Sequence, residues 1–221
     1  MKDGWFIHNI EIMRKYRRRY YDLFSHFYDS IIRLHSQDKS LYLRHYLAKK
    51  SGVQSKDLVL DLCTGTGSLA LVLSNYAGKG LVIGVDFSKG MLTKARNKIK
   101  LLRQKNIKFI MADAGFLPFK AGIFDVIACS HSMYELTGGT RKRALAEIKR
   151  ILKENGHFCM MEHERPDNAF IRFLYRIRIF SMGREGLNII KNELNELRKI
   201  FSHVEKEVTA TGRSKLICAQ K

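Results

Sequence analysis

From about residue 57 onward the chain alternates short, continuous apolar runs with longer stretches in which apolar residues recur three or four positions apart. The runs occupy residues 58–62, 81–86, 107–111, 124–129 and 156–161. Strands that are apolar on both faces predict a parallel sheet covered by helices on each side. The covering helices are predicted over 68–76, 88–103 and 140–153, the last marked by Leu145, Ile148 and Leu152 along one face. The order then changes. Residues 187–201 read as a helix, and 203–209, a Thr-Gly-Arg turn and 214–219 read as a β-hairpin. The first fifty residues are helical, basic and aromatic, with Tyr16, Tyr20, Tyr21, Phe24, Phe27 and Tyr28 in close succession.

A chain of 221 residues, 45% hydrophobic and 28% charged with 2 prolines, is long enough to fold around one core of its own. With no repeat or linker-like tract, the reading is a helical N-terminal cap over 1–50 and a sheet domain over 51–221. No apolar run reaches the roughly 18 residues of a membrane span. The first residues also lack the apolar run and cleavage site of a signal peptide, so an intracellular, cytoplasmic protein is expected. Cys63, Cys129, Cys159 and Cys218 each lie in an apolar run and form no C-x-x-C pair. They read as four reduced core thiols, with neither a disulfide framework nor a metal site.

Asp61-Leu62-Cys63-Thr64-Gly65-Thr66-Gly67 stands directly after a predicted strand and directly before a predicted helix. Two glycines one residue apart let the backbone turn tightly and approach a ligand without a Cβ in the way. Gly65, Gly67 and Ala70 alone also fit a dinucleotide fingerprint, but the surrounding acids narrow the choice. Asp86 ends the second strand, where a carboxylate accepts hydrogen bonds from a ribose diol. Asp113 follows the third strand and suits the exocyclic amine of adenine. Asp61, ahead of the glycines, suits an ammonium group. Singly, Asp86 and Asp113 would serve equally well as helix caps or turn residues. Together the acids describe a ligand with an amine, a ribose and an adenine.

At these motifs the chain resembles the class I S-adenosylmethionine-dependent methyltransferases, and the likeness runs through nearly everything after about Ser40. LDLCTGTG, VIGVDFSKGML, FIMADAGFLPF and FDVIACSHSMYEL resemble four of the family's motifs in their usual order. The resemblance implies an α/β, Rossmann-like fold with a mostly parallel seven-stranded sheet and an antiparallel last strand. It implies S-adenosylmethionine as cofactor and S-adenosylhomocysteine as product. Gly65 and Gly67 would border the methionine portion, Asp86 would hold the ribose, and Asp113 with the Ala114 backbone would meet the adenine amine. Asp61 would serve the amino group directly or through the loop. Ser130 and His131 would face the methionine and the incoming substrate, and Phe87 and Met91, which also read as core residues, would pack beside adenine.

Methyl transfer from a sulfonium needs alignment above all, plus a base where the acceptor must lose a proton. The base candidates are His131, Tyr134, Glu135, Glu162 and His163. The chain lacks the Asn/Asp-Pro-Pro-Tyr element of amide and exocyclic nitrogen methylation, and it has no Pro-Cys pair for pyrimidine C5 chemistry. Within the superfamily it most resembles the ubiquinone/menaquinone C-methyltransferases and related phospholipid N-methyltransferases. Tyr20-Tyr21-Asp22 and Tyr28-Asp29 look like their paired Tyr-Asp elements, whose helices close over the donor site. The short stretch between Glu162 and Gly186, and Ser30-Ile31-Ile32-Arg33 in place of an Asn/Ser-rich segment, leave the acceptor open between quinol and phospholipid types.

Charge adds a second theme. Forty Lys+Arg against 21 Asp+Glu give +19, a field that attracts anions. Residues 94–108 hold seven cations and no acid, and Arg14, Lys15, Arg17, Arg18 and Arg19 adjoin the N-terminal aromatics. Such clusters suit peripheral contact with an anionic membrane and a lipid-like acceptor, suit RNA equally, or are plain solvated helix faces. FIRFLYRIRIF at 170–180 reads either as a substrate lid or as a packed helix with its arginines in water. The alternatives to a small-molecule methyltransferase are an RNA-directed methyltransferase or nucleic-acid-binding protein on the same fold, and an NAD-dependent oxidoreductase. The last is weakened because the Tyr46 to Lys50 pair precedes the first strand.

Overall fold

The structure, a computed structural model, describes residues 18–22, 25, 41–164, 183–210, 212 and 214–221. The elements are α1 (Tyr42–Lys50), β1 (Leu58–Leu62), α2 (Ser68–Tyr76), β2 (Leu81–Asp86), α3 (Lys89–Leu101) and β3 (Ile107–Met111). Then come β4 (Phe124–Ser130), a 3-10 turn (Met133–Glu135), α4 (Gly138–Ile151), β5 (Leu152–His163), α5 (Gly183–Arg198), β6 (Ser202–Val208) and β7 (Ser214–Gln220). Residues 18–22 are also helical. The strands form one sheet in the order β3-β2-β1-β4-β5-β7-β6. Pairing is parallel from β3 to β5, while β7 runs antiparallel to both β5 and β6.

Apolar alternation explains the two layers. Leu60, Leu62, Ile127, Cys129, Phe158 and Met160 pack with Leu145, Ile148 and Ile151 of α4 and Leu197 of α5. Their neighbours Val59, Val126, Ala128, Cys159 and Met161 face the other way, onto Leu47 and Ala48 of α1 and Leu69, Val72 and Leu73 of α2. Successive side chains of a strand point to opposite faces, so strands apolar at nearly every position need a helical layer on each. The chain builds β1 to β3 outward in one direction and then crosses back to lay β4 on the free side of β1. That reversal opens a crevice at the carboxyl ends of β1 and β4, the usual ligand position in such sheets.

Three expectations shift. β5 begins at Leu152, where α4 stops, because Leu152 already pairs with Phe124; the register then slips before Val126 pairs with His157. α5 starts at Gly183 rather than 187 and ends at Arg198. The reading of four reduced thiols fails for two of them: Cys159 of β5 and Cys218 of β7 form a disulfide, with Cα atoms 4.1 Å apart. They are 59 residues apart in sequence, and only the antiparallel docking of β7 sets them directly opposite one another. Cys63 and Cys129 remain thiols. Among the described residues no helix is long and apolar enough to cross a membrane. The 170–180 segment, Tyr28-Asp29, Arg14, Lys15, Arg17, Tyr16, Phe24 and Phe27 lie outside the described residues.

Candidate active site

Where β1 ends, the chain turns sharply through three left-handed residues, Cys63 (φ 57°), Gly65 (φ 53°) and Gly67 (φ 76°). Such a φ at a non-glycine residue costs about 1–2 kcal/mol, so Cys63 holds its shape only because its surroundings impose it. Thr64 does part of this: its N–H donates to the Val85 carbonyl and its carbonyl accepts from Gly67 N–H, both at 2.9 Å. A Cβ on Gly67 would lie 2.9 Å from Phe109 Cζ and 3.0 Å from Ala95 Cβ, so this glycine lets the loop pack onto β3 and α3. A Cβ on Gly65 would meet nothing within 4 Å. The first glycine therefore presents bare backbone to open space, and the second one packs.

The carboxylates organise this loop. Asp61 is buried and accepts the Thr64 hydroxyl at 2.5 Å. Burial pushes its carboxyl from an ordinary 3.8 up to about 7, against the opposing pull of the Thr64 hydroxyl, the Ala70 N–H and the Arg44 charge. Asp86, 7% exposed, bridges two segments: Oδ2 accepts Gly65 N–H at 2.8 Å and Oδ1 accepts Ser88 N–H at 2.9 Å. Burial raises it to about 6. It is not a helix cap, since Ser88 caps α3 by accepting Met91 N–H at 3.1 Å. Asp113 accepts Gly115 N–H at 2.7 Å and so shapes the turn after β3 that contains the buried Ala114. Phe87 is half-buried, edge-on to Tyr21 at 5.7 Å, and Met91 is a core residue, 2% exposed.

Two further groups reach this end of the sheet that spacing rules do not find. Asp22 accepts the Ser88 hydroxyl at 2.6 Å and Gly90 N–H at 2.8 Å, so the N-terminal helical residues dock on the first turn of α3, two bonds from Asp86. Arg44 of α1 lines a small pocket with Asp61, Thr64, Gly65, Thr66, Ser68 and Ser130. Lys98 adds a second cation nearby, donating to the Thr66 and Ser68 hydroxyls at 3.3 and 3.0 Å. The Tyr-Asp pair at 21–22 was the one sequence signal for Asp22, and a lone arginine upstream of β1 gives no signal at all.

On the opposite side of the crevice, His131, Tyr134 and His163 come together as one cluster. The His131 and His163 rings are 4.7 Å apart and the Tyr134 and His163 rings 5.5 Å apart. His131 leaves β4 with φ 54°, and its ring contacts Ser130 Oγ through Nδ1 at 3.0 Å and Ser214 Oγ through Nε2 at 3.3 Å. The Tyr21 hydroxyl donates to the Glu135 carboxylate, joining the N-terminal residues to this side as well. Among the described residues Glu162 is fully buried, and its Oε1 turns to Met133 N–H, which it accepts at 2.8 Å. Burial, followed by the neighbouring Glu193 charge, pushes its carboxyl well above the usual carboxylate range.

The strand order, the reversed β7 and the glycine turn at the switch point define a class I methyltransferase fold. Within that class the chain belongs to the ubiE/COQ5 methyltransferase family, whose profile matches residues 13–207. It is 33% identical over 150 residues to a demethylmenaquinone methyltransferase of Thermus thermophilus, covering 68% of this chain and 67% of that protein. A ubiquinone/menaquinone biosynthesis C-methyltransferase of a Marinomonas species is 32% identical over 168 residues, covering 74% and 65%. A 2-phytyl-1,4-naphtoquinone methyltransferase of Nostoc is 36% identical over 126 residues, covering 56% and 54%. The match thus spans about half to two thirds of these relatives' own lengths. Among solved structures, phosphoethanolamine N-methyltransferase 2 of Haemonchus contortus, in complex with S-adenosylmethionine, superposes with a TM-score of 0.66 at 15% identity, covering 81% of this chain and 52% of that one. The methyltransferase in a complex with the Haloferax volcanii Trm112 activator gives 0.65 at 20% identity, covering 90% and 96%. These likenesses speak to the fold alone.

Proposed function

We propose that this protein transfers a methyl group from S-adenosylmethionine to a quinol-type acceptor, a small or lipid-like molecule, and releases S-adenosylhomocysteine. The observation that carries the donor assignment is Asp86, strung between Gly65 and Ser88 at the open edge of the glycine turn. Its carboxylate retains acceptor capacity beyond these backbone bonds, which a ribose hydroxyl would use. The pocket beside it offers Arg44, Thr66 and Ser68 to a carboxylate and Asp61 to an ammonium, which fits the amino-acid end of the donor. Asp113 and the Ala114 backbone would take the adenine amine, with Phe87 beside it; Met91 would support that wall from the core. Ser130 would line the methionine side.

The bound donor supplies an already activated methyl carbon. The protein's part is then to align the acceptor, exclude water and receive one proton. His131 is the residue assigned to that proton. Imidazole is the side chain whose ordinary proton equilibrium lies near neutral pH, and Ser130 and Ser214 orient this ring. Removing a proton from an acceptor ring hydroxyl raises the electron density at the adjacent ring carbon. His163 and Tyr134 shape the space around it. The quinol assignment is supported by the relatives, which are named as menaquinone, ubiquinone and phytyl-naphthoquinone methyltransferases.

The same reading places the enzyme in the cytoplasm, in peripheral contact with anionic membrane. The cations of residues 94–108 and the exposed Leu101 (83%) and Leu102 (53%) support it. Co-sedimentation with anionic but not zwitterionic vesicles is expected, and equal partition would count against it.

Calorimetric titration with S-adenosylmethionine and S-adenosylhomocysteine, with NADH as control, tests the donor site. Asp86→Ala should weaken donor binding by about 1–3 kcal/mol, the loss of charge-assisted hydrogen bonds. Transfer of labelled methyl to a reduced naphthoquinone, with phosphatidylethanolamine as the competing acceptor, tests the other half. Labelling of the phospholipid alone would overturn the quinol assignment.

A further inference from the structure

We infer that Glu162 and Arg141 are positioning residues, a buried clamp on the Met133 peptide that holds the acceptor-side turn, and with it His131 and Tyr134, in place against the donor end. This rests on the reading of His131 and Tyr134 as the acceptor side. The turn needs such a clamp because it begins with His131 in the left-handed region, where a side chain is strained. Ahead of the turn, His131 N–H is tied to the Met161 carbonyl at 2.7 Å. Behind it, both backbone polar groups of Met133 are gripped by ionisable side chains. Its N–H donates to Glu162 Oε1 at 2.8 Å, and its carbonyl accepts from Arg141 Nη1 at 2.6 Å.

Neither side chain is placed for chemistry on a substrate. Glu162 is 0% and Arg141 3% exposed. Alternation along β5 puts Glu162 on the face of Phe158 and Met160, toward α4 and α5. Its strand partner in β7 is Lys215, which pairs with Glu193 of α5 and donates to the Ile190 carbonyl at 3.0 Å. Arg141 uses Nε on Glu196 of α5 at 2.7 Å. The Met133 backbone is thereby fixed to β5 through Glu162 and to α4 and α5 through Arg141. Burying ionisable groups is expensive whether they stay charged or hold a proton, and Glu162 Oε2 and Arg141 Nη2 make no hydrogen bond among the described residues. A core carrying that expense at the base of a catalytic turn is explained by the geometry it imposes. Small displacements of reacting groups lower rates steeply.

Glu162→Gln keeps a carbonyl oxygen for Met133 N–H, and Glu162→Leu removes it. Hydrogen exchange at the Met133 amide and steady-state methyl transfer, both on the full chain, separate the possibilities. Glu162→Gln should keep exchange and kcat within about threefold of the parent. Glu162→Leu should speed Met133 exchange and lower kcat by about tenfold or more, while S-adenosylhomocysteine affinity holds within about twofold. Arg141→Lys, which keeps charge but cannot reach Met133 and Glu196 together, should move both readouts the same way, and it carries the test if Glu162→Leu does not fold. The inference is overturned if folded Glu162→Leu or Arg141→Lys leaves exchange and kcat unchanged. It is also overturned if Glu162→Gln is as slow as Glu162→Leu while its Met133 amide stays protected, since the carboxyl itself would then be needed. Faster exchange in a protein that transfers no methyl group to any acceptor would overturn the proposed function and leave the clamp standing.

Discussion

Replacing Asp61 by Asn separates the stability of the glycine turn from its use. Burial raises this carboxyl from 3.8 to about 7, so the folded chain holds the proton more tightly than the unfolded chain does. Its contribution to stability is therefore fully present below the unfolded value and is lost as pH rises through the window up to about 7. A shift of about three units corresponds to about 4 kcal/mol across that window. Asn carries no charge at any pH. Its carbonyl can accept Ala70 N–H and its amide can donate to Thr64 Oγ1, so relative to the protonated acid the offsetting loss is about 1–2 kcal/mol of hydrogen bonding at either pH. Asp61→Asn should thus be more stable than the parent by about 2–3 kcal/mol at pH 8 and within about 1 kcal/mol of it at pH 5. Donor affinity at pH 8 should nevertheless fall by about tenfold, because the neutral amide no longer attracts an ammonium. Urea unfolding followed by far-UV circular dichroism at the two pH values, with calorimetric titration at pH 8, reads all three quantities. A stability difference that is the same at both pH values would show that burial does not hold the Asp61 proton. Undiminished donor affinity would remove Asp61 from the binding site.

Because Asp61 and Asp86 sit at about 7 and about 6, binding of a cationic donor should tighten as pH rises from 5.5 to 8; a flat calorimetric profile would contradict this. Gly67→Ala should destabilise by about 1–3 kcal/mol through its contact with Phe109, and Phe109→Leu should recover part of that in urea unfolding. Gly65→Ala has open space and a left-handed φ, so about 1 kcal/mol of stability should go while donor binding suffers more; the reverse order for the two glycines would refute their assignment. Reducing the Cys159–Cys218 bond should lower the urea midpoint by the equivalent of up to about 4 kcal/mol in the chain-entropy view for a separation of 59 residues, and an unchanged midpoint would remove its stabilising role.

What the sequence determined by itself was whatever depends on near neighbours. The apolar runs declared strands buried on both faces, and the glycines with Asp61, Asp86 and Asp113 marked one end of the sheet, because strand burial and a tight turn are written in adjacent residues. The grouping of His131, Tyr134 and His163 was half-visible: all three stand at or just past strand ends, but nothing in their spacing says that β4 and β5 lie side by side. Tertiary structure alone decided the rest. Cys159 meets Cys218 only when β7 docks backward on β5, and Arg44 joins the glycine turn only because α1 packs over α2. Glu162, one of the five base candidates, turns instead to the Met133 amide because strand alternation points it toward α4 and α5. Local sequence sets which residues a turn or a strand contains, whereas burial, pairing and a proton's affinity depend on partners that the fold brings from tens of residues away.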